Sequence, residues 1–337
     1  MKTFRYQRPD DPEAAVTALA SVPGARFLGG GTNLVDLMKL GVECPDLLVD
    51  VGRLPHGSVE PTESGGLRIG AAVSNSALAA EPTVRDRYPV LCQALLSGAS
   101  PQLRNAATVG GNLLQRTRCL YFQDVSKPCN KHDPGSGCPA IEGVHRDLAI
   151  LGASEHCIAT NPSDMAVALA ALDAEVLLRG PSGARRLPVT ELHRLPGDQP
   201  ERDTVLEHGE LITHVELGPV RPTVRSAYRK ARDRASYSFA IGSVAALLEV
   251  AEGTVRQVRL ALGAVAAKPW RARTAEEQLL GAPATVESFS SAVEAELAAA
   301  EPLRDNAFKV PLVRNMAVRT LLELAGGAFA DWEEDQW

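Results

Sequence analysis

The sequence predicts an α+β protein built in two parts. A strand, a glycine turn, a helix and a second strand open the chain, and a composition break at residues 219–222 precedes antiparallel-strand and then helical patterns. The length of 337 residues also exceeds what one hydrophobic core usually serves. We therefore expect a first part over 1–220, with lobes at about 1–55 and 56–220, a second part over 221–330, and an acidic tail at 331–337.

The overall composition excludes several classes of protein. Lysine and arginine number 35 against 41 aspartates and glutamates, a net charge of −6 without a basic block, so nucleic acid is not an expected partner. Aromatic residues make up 4%, too few for a surface that stacks single-stranded bases. No run of 18 apolar residues is present, so we expect no membrane span. The first residues also lack the apolar region of a secretion signal.

The first lobe is predicted to alternate helices and strands. Asp10 or Asp11 supplies a cap and Pro12 an early proline for a helix that reaches residue 19. Residues 25–28 form a short apolar strand that enters a run of glycines, and a helix then extends through residue 39. A strand at 47–51 completes a small α/β unit.

The later elements follow from alternation and turn signals. In the second lobe these predict a strand at 67–73, a helix at 90–97, a hairpin strand at 174–179 with its turn at 181–183, and a strand at 211–217. In the second part they predict strands at 236–250 and 253–263, and helices at 274–280, 286–299 and 311–324. Residues 116–157 lose periodicity, which indicates a functional insert or a segment held by metal.

Two loops combine adjacent glycines with Thr and Asn side chains. The first, 29–33, lies between a predicted strand and a predicted helix, where backbone amides and the helix N-terminus favour a phosphate group. It matches neither the Rossmann nor the P-loop glycine pattern, and a plain tight turn is the alternative. The second loop, 104–113, repeats the combination. Two such loops suit a ligand longer than one phosphate, such as a dinucleotide.

Four of the six cysteines lie within the aperiodic segment, at Cys119, Cys129, Cys138 and Cys157. A chain that can build its own core has little need of disulfides, and zinc ribbons present their ligands in tight pairs that do not occur here. Four thiolates on a long irregular segment suit an iron–sulfur cluster. The spacing alone leaves these alternatives open, together with buried cysteines that bind nothing.

The motifs in these segments resemble a known family. FLGGGTNL at 27–34 and LRNAATVGGN at 103–112 are similar to the FAD-binding subunits of the molybdenum hydroxylases, the xanthine dehydrogenase and carbon monoxide dehydrogenase family. The resemblance covers nearly the whole chain. QRTRC at 115–119, PCNK at 128–131, PGSGC at 134–138 and SEHCIAT at 154–160 are typical of one branch, the FAD subunits of bacterial periplasmic aldehyde oxidoreductases.

The resemblance implies a fold and a set of cofactor-binding residues. The fold is a two-lobed FAD-binding region followed by a C-terminal antiparallel sheet with helices, with FAD between them. The first loop would hold the pyrophosphate, the second loop the phosphates and the flavin end, Asp164 the ribose or adenine, and Lys230 would lie near the isoalloxazine. The residues implied are Phe27, Leu28, Gly29, Gly30, Gly31, Thr32, Asn33, Leu34, Leu103, Thr108, Gly110, Gly111, Asn112, Asp164 and Lys230.

Two of these residues have simpler alternatives, and one neighbour departs from the family pattern. Asp164 could instead be a helix N-cap, and Lys230 a solvated strand residue. Asn161 stands where family members often carry His, which puts local contacts in doubt but leaves the Asp in place. The resemblance also implies that the four cysteines of the insert, at about 115–160, bind a [4Fe-4S] cluster.

The resemblance implies an electron-transfer subunit without a catalytic residue of its own. Because the chain has no plant-type C-x4-C-x2-C run, the two [2Fe-2S] clusters of such complexes belong to a small partner subunit, and the molybdopterin cofactor to a large one. Electrons would pass from molybdenum through [2Fe-2S] centres to FAD and an external acceptor. The protein would be bacterial, and either periplasmic, by export on a partner's signal, or cytoplasmic.

Three other functions stay open at this stage. The chain is also similar to the matching subunit of 4-hydroxybenzoyl-CoA reductase, in which electrons flow toward molybdenum, although the PGSGC stretch favours the aldehyde branch. A standalone flavin oxidoreductase sharing the fold would need its own substrate pocket. A non-enzymatic alternative is a zinc-stabilised interaction module with an empty glycine loop.

Overall fold

The computed structural model describes residues 1–326, and the predicted acidic tail at 331–337 lies outside them. The first lobe is a three-stranded parallel sheet in the order β1-β3-β2, flanked by two helices. Its elements are β1 (Arg5–Gln7), α1 (Pro12–Ala20), β2 (Ala25–Leu28), α2 (Leu34–Leu40) and β3 (Leu47–Asp50). The predicted order of strand, glycine turn, helix and strand is present. Asp11 caps α1 by accepting a hydrogen bond from the backbone N–H of Ala14 at 2.7 Å.

The second lobe combines an antiparallel sheet with many short helices. The strand order is β4-β5-β8-β6-β7. The elements are β4 (Val59–Pro61), β5 (Leu67–Gly70), α3 (Asn75–Ala80), α4 (Pro82–Arg87), α5 (Pro89–Ser97), α6 (Pro101–Ala106), α7 (Val109–Leu113), α8 (Leu120–Gln123), α9 (Asp164–Ala171), β6 (Glu175–Gly180), β7 (Gly183–Pro188), α10 (Val189–Leu192) and β8 (Leu211–Leu217). Between α7 and α9 only the four-residue α8 is regular, as the loss of periodicity predicted.

The second part is a four-stranded antiparallel sheet in the order β12-β11-β10-β9, covered by helices. Its elements are β9 (Arg225–Ala231), β10 (Gly242–Ala251), β11 (Thr254–Gly263), β12 (Trp270–Arg271), α11 (Arg273–Leu279), α12 (Val286–Leu297) and α13 (Lys309–Ala325). The predicted strand at 236–250 begins only at Gly242, because residues 232–241 form a loop between β9 and β10. These elements confirm the α+β class.

One helix joins the two parts through a shared core. All eight residues of α9 are buried, and the helix packs against α5 on one side and against β10 and β11 on the other. Leu169 of α9 therefore belongs to the same apolar cluster as Ile212 of the second-lobe sheet and Leu247 of the C-terminal sheet. Burying a leucine side chain of this kind contributes about 2 kcal/mol. The first residues of α9 are thus held rigidly between the two parts.

No helix among residues 1–326 combines the length and the hydropathy that a membrane crossing requires.

Candidate functional site

The two glycine loops meet backbone to backbone, although about 75 residues separate them in sequence. A Cβ atom at Gly30 would overlap with the carbonyl oxygen of Ala106, which lies in the second loop. Gly31 has a φ of +73°, a conformation that favours glycine. The loop after β2 therefore needs glycine both for its own turn and for the close approach of the second loop.

Polar side chains of the two loops are held by local hydrogen bonds. Thr108 caps α7 by accepting from the backbone N–H of Gly111 at 3.2 Å. Asn112 accepts from the hydroxyl of Ser163 at 2.6 Å, which ties the second loop to the start of α9. Asn33 accepts from the backbone N–H of Arg116 at 2.9 Å, while its own amide nitrogen is buried without a partner in the described chain. That amide can donate to a bound molecule.

Two cavities join at these loops. The first-lobe cavity, of about 440 Å³, extends from the first loop between the first lobe and residues 201–212. The β9 cavity, of about 570 Å³, extends from the second loop toward β9 and the loop that follows it. Thr32, Asn33 and Gly111 line both. The glycine loops thus lie at the middle of one long site, as a dinucleotide with a central pyrophosphate requires.

Fourteen of the fifteen residues predicted to bind the cofactor line this long site. In the first-lobe cavity these are Phe27, Gly29, Gly30, Gly31, Thr32, Asn33, Leu34, Thr108, Gly110 and Gly111. In the β9 cavity they are Thr32, Asn33, Leu103, Gly111, Asn112, Asp164 and Lys230. Leu28 lines neither cavity, and its side chain packs near Gly31.

Asp164 and Lys230 form an ion pair inside the β9 cavity. The ammonium of Lys230 lies 2.8 Å from Oδ2 of Asp164 and also donates to the carbonyl of Ser97. The hydroxyl of Tyr228 donates to Oδ1 of Asp164 at 2.5 Å, and burial together with that carboxylate raises the pKa of Tyr228 well above its ordinary value. Both oxygens of Asp164 are therefore engaged by side chains of β9.

This arrangement differs from the expected division of roles. The resemblance assigns Asp164 to the ribose or adenine and Lys230 to the isoalloxazine, but the structure places them side by side, facing the same part of the site. The N-cap of α9 is Ser163 and not Asp164, because the hydroxyl of Ser163 accepts from the backbone N–H of Ala166 at 3.0 Å. Lys230 is buried rather than solvated.

The insert brings its four cysteines to one small apolar cavity. Cys119, Cys129, Cys138 and Cys157 all line it, and every other lining residue also lies between 119 and 159. We call it the cysteine cavity. Within residues 1–326 no three His, Cys, Asp or Glu side chains gather around a point where one metal ion could bind. A cubane cluster makes a different demand, because each of its four cysteines bonds to a different iron.

Backbone amides point at the thiols. Burial raises the pKa of Cys119, and hydrogen bonds from the backbone of Phe122 and Tyr121 oppose that rise. Burial raises the pKa of Cys157 to about 11, against the positive charge of Lys131 and a hydrogen bond from the backbone N–H of Ala159 at 3.5 Å. N–H donors of this kind stabilise the sulfur atoms of a bound cluster.

An ion-pair chain links the cysteine cavity to the first-lobe cavity, and sequence reasoning missed it. The buried ammonium of Lys131 lies 2.5 Å from Asp203 and also donates to the carbonyl of Pro200. The other oxygen of Asp203 accepts from Arg116 at 2.7 Å, and Arg116 pairs with Glu43 at 2.7 Å. These four residues come from distant segments without periodic patterns, so a single sequence does not reveal their pairing.

His56 is a second residue that the sequence did not single out. It lines the first-lobe cavity, and its ring lies edge-on to that of His214 with the centroids 4.7 Å apart. Both ring nitrogens of His56 are buried without a partner among the described residues. Burial lowers the pKa of both histidines, which favours the neutral rings. A neutral His56 can both donate to and accept from a ligand.

Comparisons with known proteins agree with this geometry. The family described as the FAD binding domain in molybdopterin dehydrogenase matches residues 2–219, and the CO dehydrogenase flavoprotein C-terminal domain matches residues 226–324. The aldehyde oxidoreductase FAD-binding subunit PaoB of Escherichia coli is 49% identical over 325 residues, covering 96% of this chain and 98% of its own length.

More distant relatives share the fold over most of the chain. The carbon monoxide dehydrogenase medium chain of Hydrogenophaga pseudoflava is 27% identical over 303 residues, or 90% of this chain and 88% of its own. A solved structure of carbon monoxide dehydrogenase from that organism superposes with a TM-score of 0.75 at 26% identity, covering 96% of this chain and 97% of the other. The chain therefore belongs to the FAD-binding subunits of the molybdenum hydroxylases, a family of oxidoreductases.

Proposed function

We propose that this chain is the electron-transfer subunit of a heterotrimeric, molybdenum-dependent aldehyde oxidoreductase and that it holds FAD together with one [4Fe-4S] cluster. The observation that carries the proposal is that all four cysteines of the insert line one cavity. The name of the 49%-identical relative, an aldehyde oxidoreductase subunit, supports the aldehyde class.

The long site fits FAD along its whole length. Backbone amides of residues 29–33, the free amide of Asn33 and the second loop would hold the pyrophosphate at the junction of the two cavities. His56 faces the first-lobe cavity, so we assign the AMP half to that side and the flavin to the side of Asp164 and Lys230. Bound FAD supplies the exchange between one-electron and two-electron chemistry. The residues of the two cavities would position it.

The cysteine cavity fits a [4Fe-4S] cluster. Its lining has four thiols and amide donors directed at the sulfur atoms, and among the described residues His156 is the one other lining side chain of a type that commonly binds iron. Binding would deprotonate the thiols of Cys119, Cys138 and Cys157, whose pKa values burial otherwise raises. Each cysteine would then bond to its own iron, at spacings wider than a single ion allows.

The partners follow from what the family requires beyond this chain. A small subunit would hold two [2Fe-2S] clusters and a large one the molybdopterin cofactor. This subunit would carry electrons from them to an external acceptor. In a bacterium the complex would be periplasmic, if a partner carries an export signal, or cytoplasmic. Fractionation of cells that produce all three subunits decides between these locations.

The first experiment is a visible spectrum with iron, sulfide and flavin analysis of the complex and of its Cys129→Ser variant. We expect about four irons and four sulfides per chain of this subunit beyond those of the [2Fe-2S] centres, and one FAD. Cys129→Ser should lose those irons and keep FAD, because Cys129 lines the cysteine cavity and neither part of the long site. Cys44→Ser, at an exposed cysteine outside every one of these cavities, is the matched control.

Two outcomes would contradict the assignment. Unchanged iron in Cys129→Ser would remove that residue from the ligand set, and flavin without the additional iron in the wild-type complex would remove the cluster while leaving the FAD site. Turnover assays with an aldehyde and with an aroyl-CoA then separate the aldehyde oxidoreductase from the 4-hydroxybenzoyl-CoA reductase alternative.

A further inference from the structure

Arg118 occupies a position between the two cofactor sites. It directly precedes Cys119 in the insert, and its side chain lines the β9 cavity. It also lines a third cavity of about 230 Å³, which Cys119 and Asp164 border as well. The guanidinium is therefore placed beside the space that we assign to the flavin, on the side nearest the cysteine cavity.

The guanidinium of Arg118 has no acceptor within the described chain. Among residues 1–326 it forms neither a hydrogen bond nor an ion pair, and its Nε is fully buried without a partner. Its face stacks on the ring of Phe239, with 4.8 Å between the guanidinium carbon and the ring centroid.

The other cations that line the β9 cavity are already engaged. Lys230 pairs with Asp164 at 2.8 Å. Arg104 donates to the carbonyl of Gly98 at 2.7 Å, and Arg234 donates to the carbonyl of Tyr237. Leaving the buried Nε of this half-buried guanidinium unpaired is unfavourable, since that N–H loses water without gaining an acceptor. A bound molecule with exposed oxygen or nitrogen acceptors would remove that cost.

We propose that Arg118 contacts the flavin ring and stabilises the negative charge that the ring gains on reduction. The inference rests on the proposed FAD site. Reduction by two electrons with uptake of one proton leaves one additional negative charge on the flavin. The electrons come from the [2Fe-2S] centres of the proposed small subunit, or from an electrode in the test. A fixed cation beside the ring favours the reduced form and so raises its reduction potential. Lys230 contributes less to this effect, because Asp164 neutralises its charge.

The test is a spectroelectrochemical titration of the flavin in the full complex carrying Arg118→Met. We expect the ratio of oxidised to reduced flavin, at a fixed potential near the midpoint, to rise about tenfold, which is about 30 mV for a two-electron couple. Arg118→Lys keeps a cation and should stay within threefold of wild type. Arg256→Met makes the same change of charge at an exposed position on β11 and should leave the ratio unchanged.

Each further outcome decides the inference. A bound flavin in Arg118→Met with the wild-type ratio overturns it. If Arg118→Met loses FAD while Arg118→Lys retains FAD and its ratio, the cation is required for the contact and the inference holds. If both variants lose FAD, Arg118 serves the fold and the inference fails. Iron analysis of each variant shows that the cluster beside Cys119 is intact. Absence of FAD from the wild-type complex would instead reject the proposed function itself.

Discussion

The cysteine cavity and the long site differ in how widely their lining residues are spread along the sequence. Every residue that lines the cysteine cavity lies between 119 and 159. The lining of the long site, in contrast, extends from Leu19 to Phe239 and includes both glycine loops, the start of α9 and strand β9. One site is local and almost free of regular structure, and the other is assembled from distant elements that the fold holds rigidly. We therefore expect a bound metal cluster to hold the cysteine cavity together, and tertiary packing to hold the long site together.

The largest effect that tests this comparison is expected at Gly30. Gly30→Ala adds only a Cβ, but that atom would overlap with the carbonyl of Ala106, so the two loops must separate. We expect bound FAD to fall at least about tenfold, a loss of roughly 1.4 kcal/mol or more in binding. Flavin and iron analysis of the complex measures both sites at once, and iron should be unchanged because the cysteine cavity is local.

Gly218→Ala is the control for Gly30→Ala, because a Cβ at exposed Gly218 meets no atom within 4 Å. If Gly30→Ala retained FAD, the contact between the loops would not be needed for the cofactor. If it lost iron as well, the two sites would not be independent.

Among changes that act on stability rather than on cofactor binding, the larger effect is expected at Asp203, the residue that joins the two sites. Asp203→Asn leaves the buried Lys131 and Arg116 with an uncharged partner, and we expect the complex to lose roughly 3 kcal/mol of stability. Asp86→Asn, at an exposed residue of α4, is the control and should change stability by less than about 0.5 kcal/mol. Denaturant unfolding monitored by flavin fluorescence measures the difference. Equal midpoints for wild type and Asp203→Asn would show that this carboxylate does not stabilise the complex.

The same residue gives a dependence on pH. Burial alone would raise the pKa of Asp203, but the charges of Lys131 and Arg116 outweigh it and hold the pKa below its ordinary range. A carboxylate with a depressed pKa in the folded state stabilises the fold above its unfolded pKa, about 4, and loses that contribution as the pH falls through the lower folded value. The stability gap between wild type and Asp203→Asn should therefore be constant from about pH 5 to 8 and narrow below about pH 4. If the stability difference increased below about pH 4 instead, the ionised carboxylate of Asp203 would not be its origin.

The smallest effect is expected in the C-terminal part, away from both sites. Thr285 caps α12 by accepting from the backbone N–H of Ser288 at 3.3 Å. Thr285→Ala should cost about 1 kcal/mol of stability with unchanged FAD and iron. Thr285→Ser, which keeps the hydroxyl, should stay near wild type. If Thr285→Ala lost FAD while Thr285→Ser kept it, the C-terminal helices would set the geometry of β9. The long site would then depend on those helices as well.

Sequence reasoning succeeded where the signal was local. The order of elements in the first lobe, the hairpin of β6 and β7 and the C-terminal helices follow from alternation, caps and turns, and the cysteine segment was recognised by its composition. The strand β9 was not predicted as an element. Three charged residues obscure the alternation. Arg225 donates to the carbonyl of Leu324, Arg229 pairs with Glu323, and Lys230 pairs with Asp164.

The rest of the site could not be predicted because it depends on tertiary contacts. No local pattern near Asp164 indicates that its carboxylate oxygens accept hydrogen bonds from Tyr228 and Lys230, which lie 64 and 66 residues away. The ion pair of Lys131 and Asp203 and the unpartnered nitrogens of His56 arise in the same way, from segments that only the fold brings together. Glycine patterns indicated the two loops, and packing decided which side chains line the long site between them.

The different spread of the two sites along the sequence also has a consequence for the growing polypeptide. During synthesis all residues that line the cysteine cavity are present once residue 159 has been added, 80 residues before Phe239 completes the lining of the β9 cavity. The surroundings of the cysteines come much later, because Leu303 packs on their apolar cluster and the side chain of Asn306 donates to the carbonyl of Ala149. The insert therefore reaches its final packing only after the C-terminal part has been synthesised.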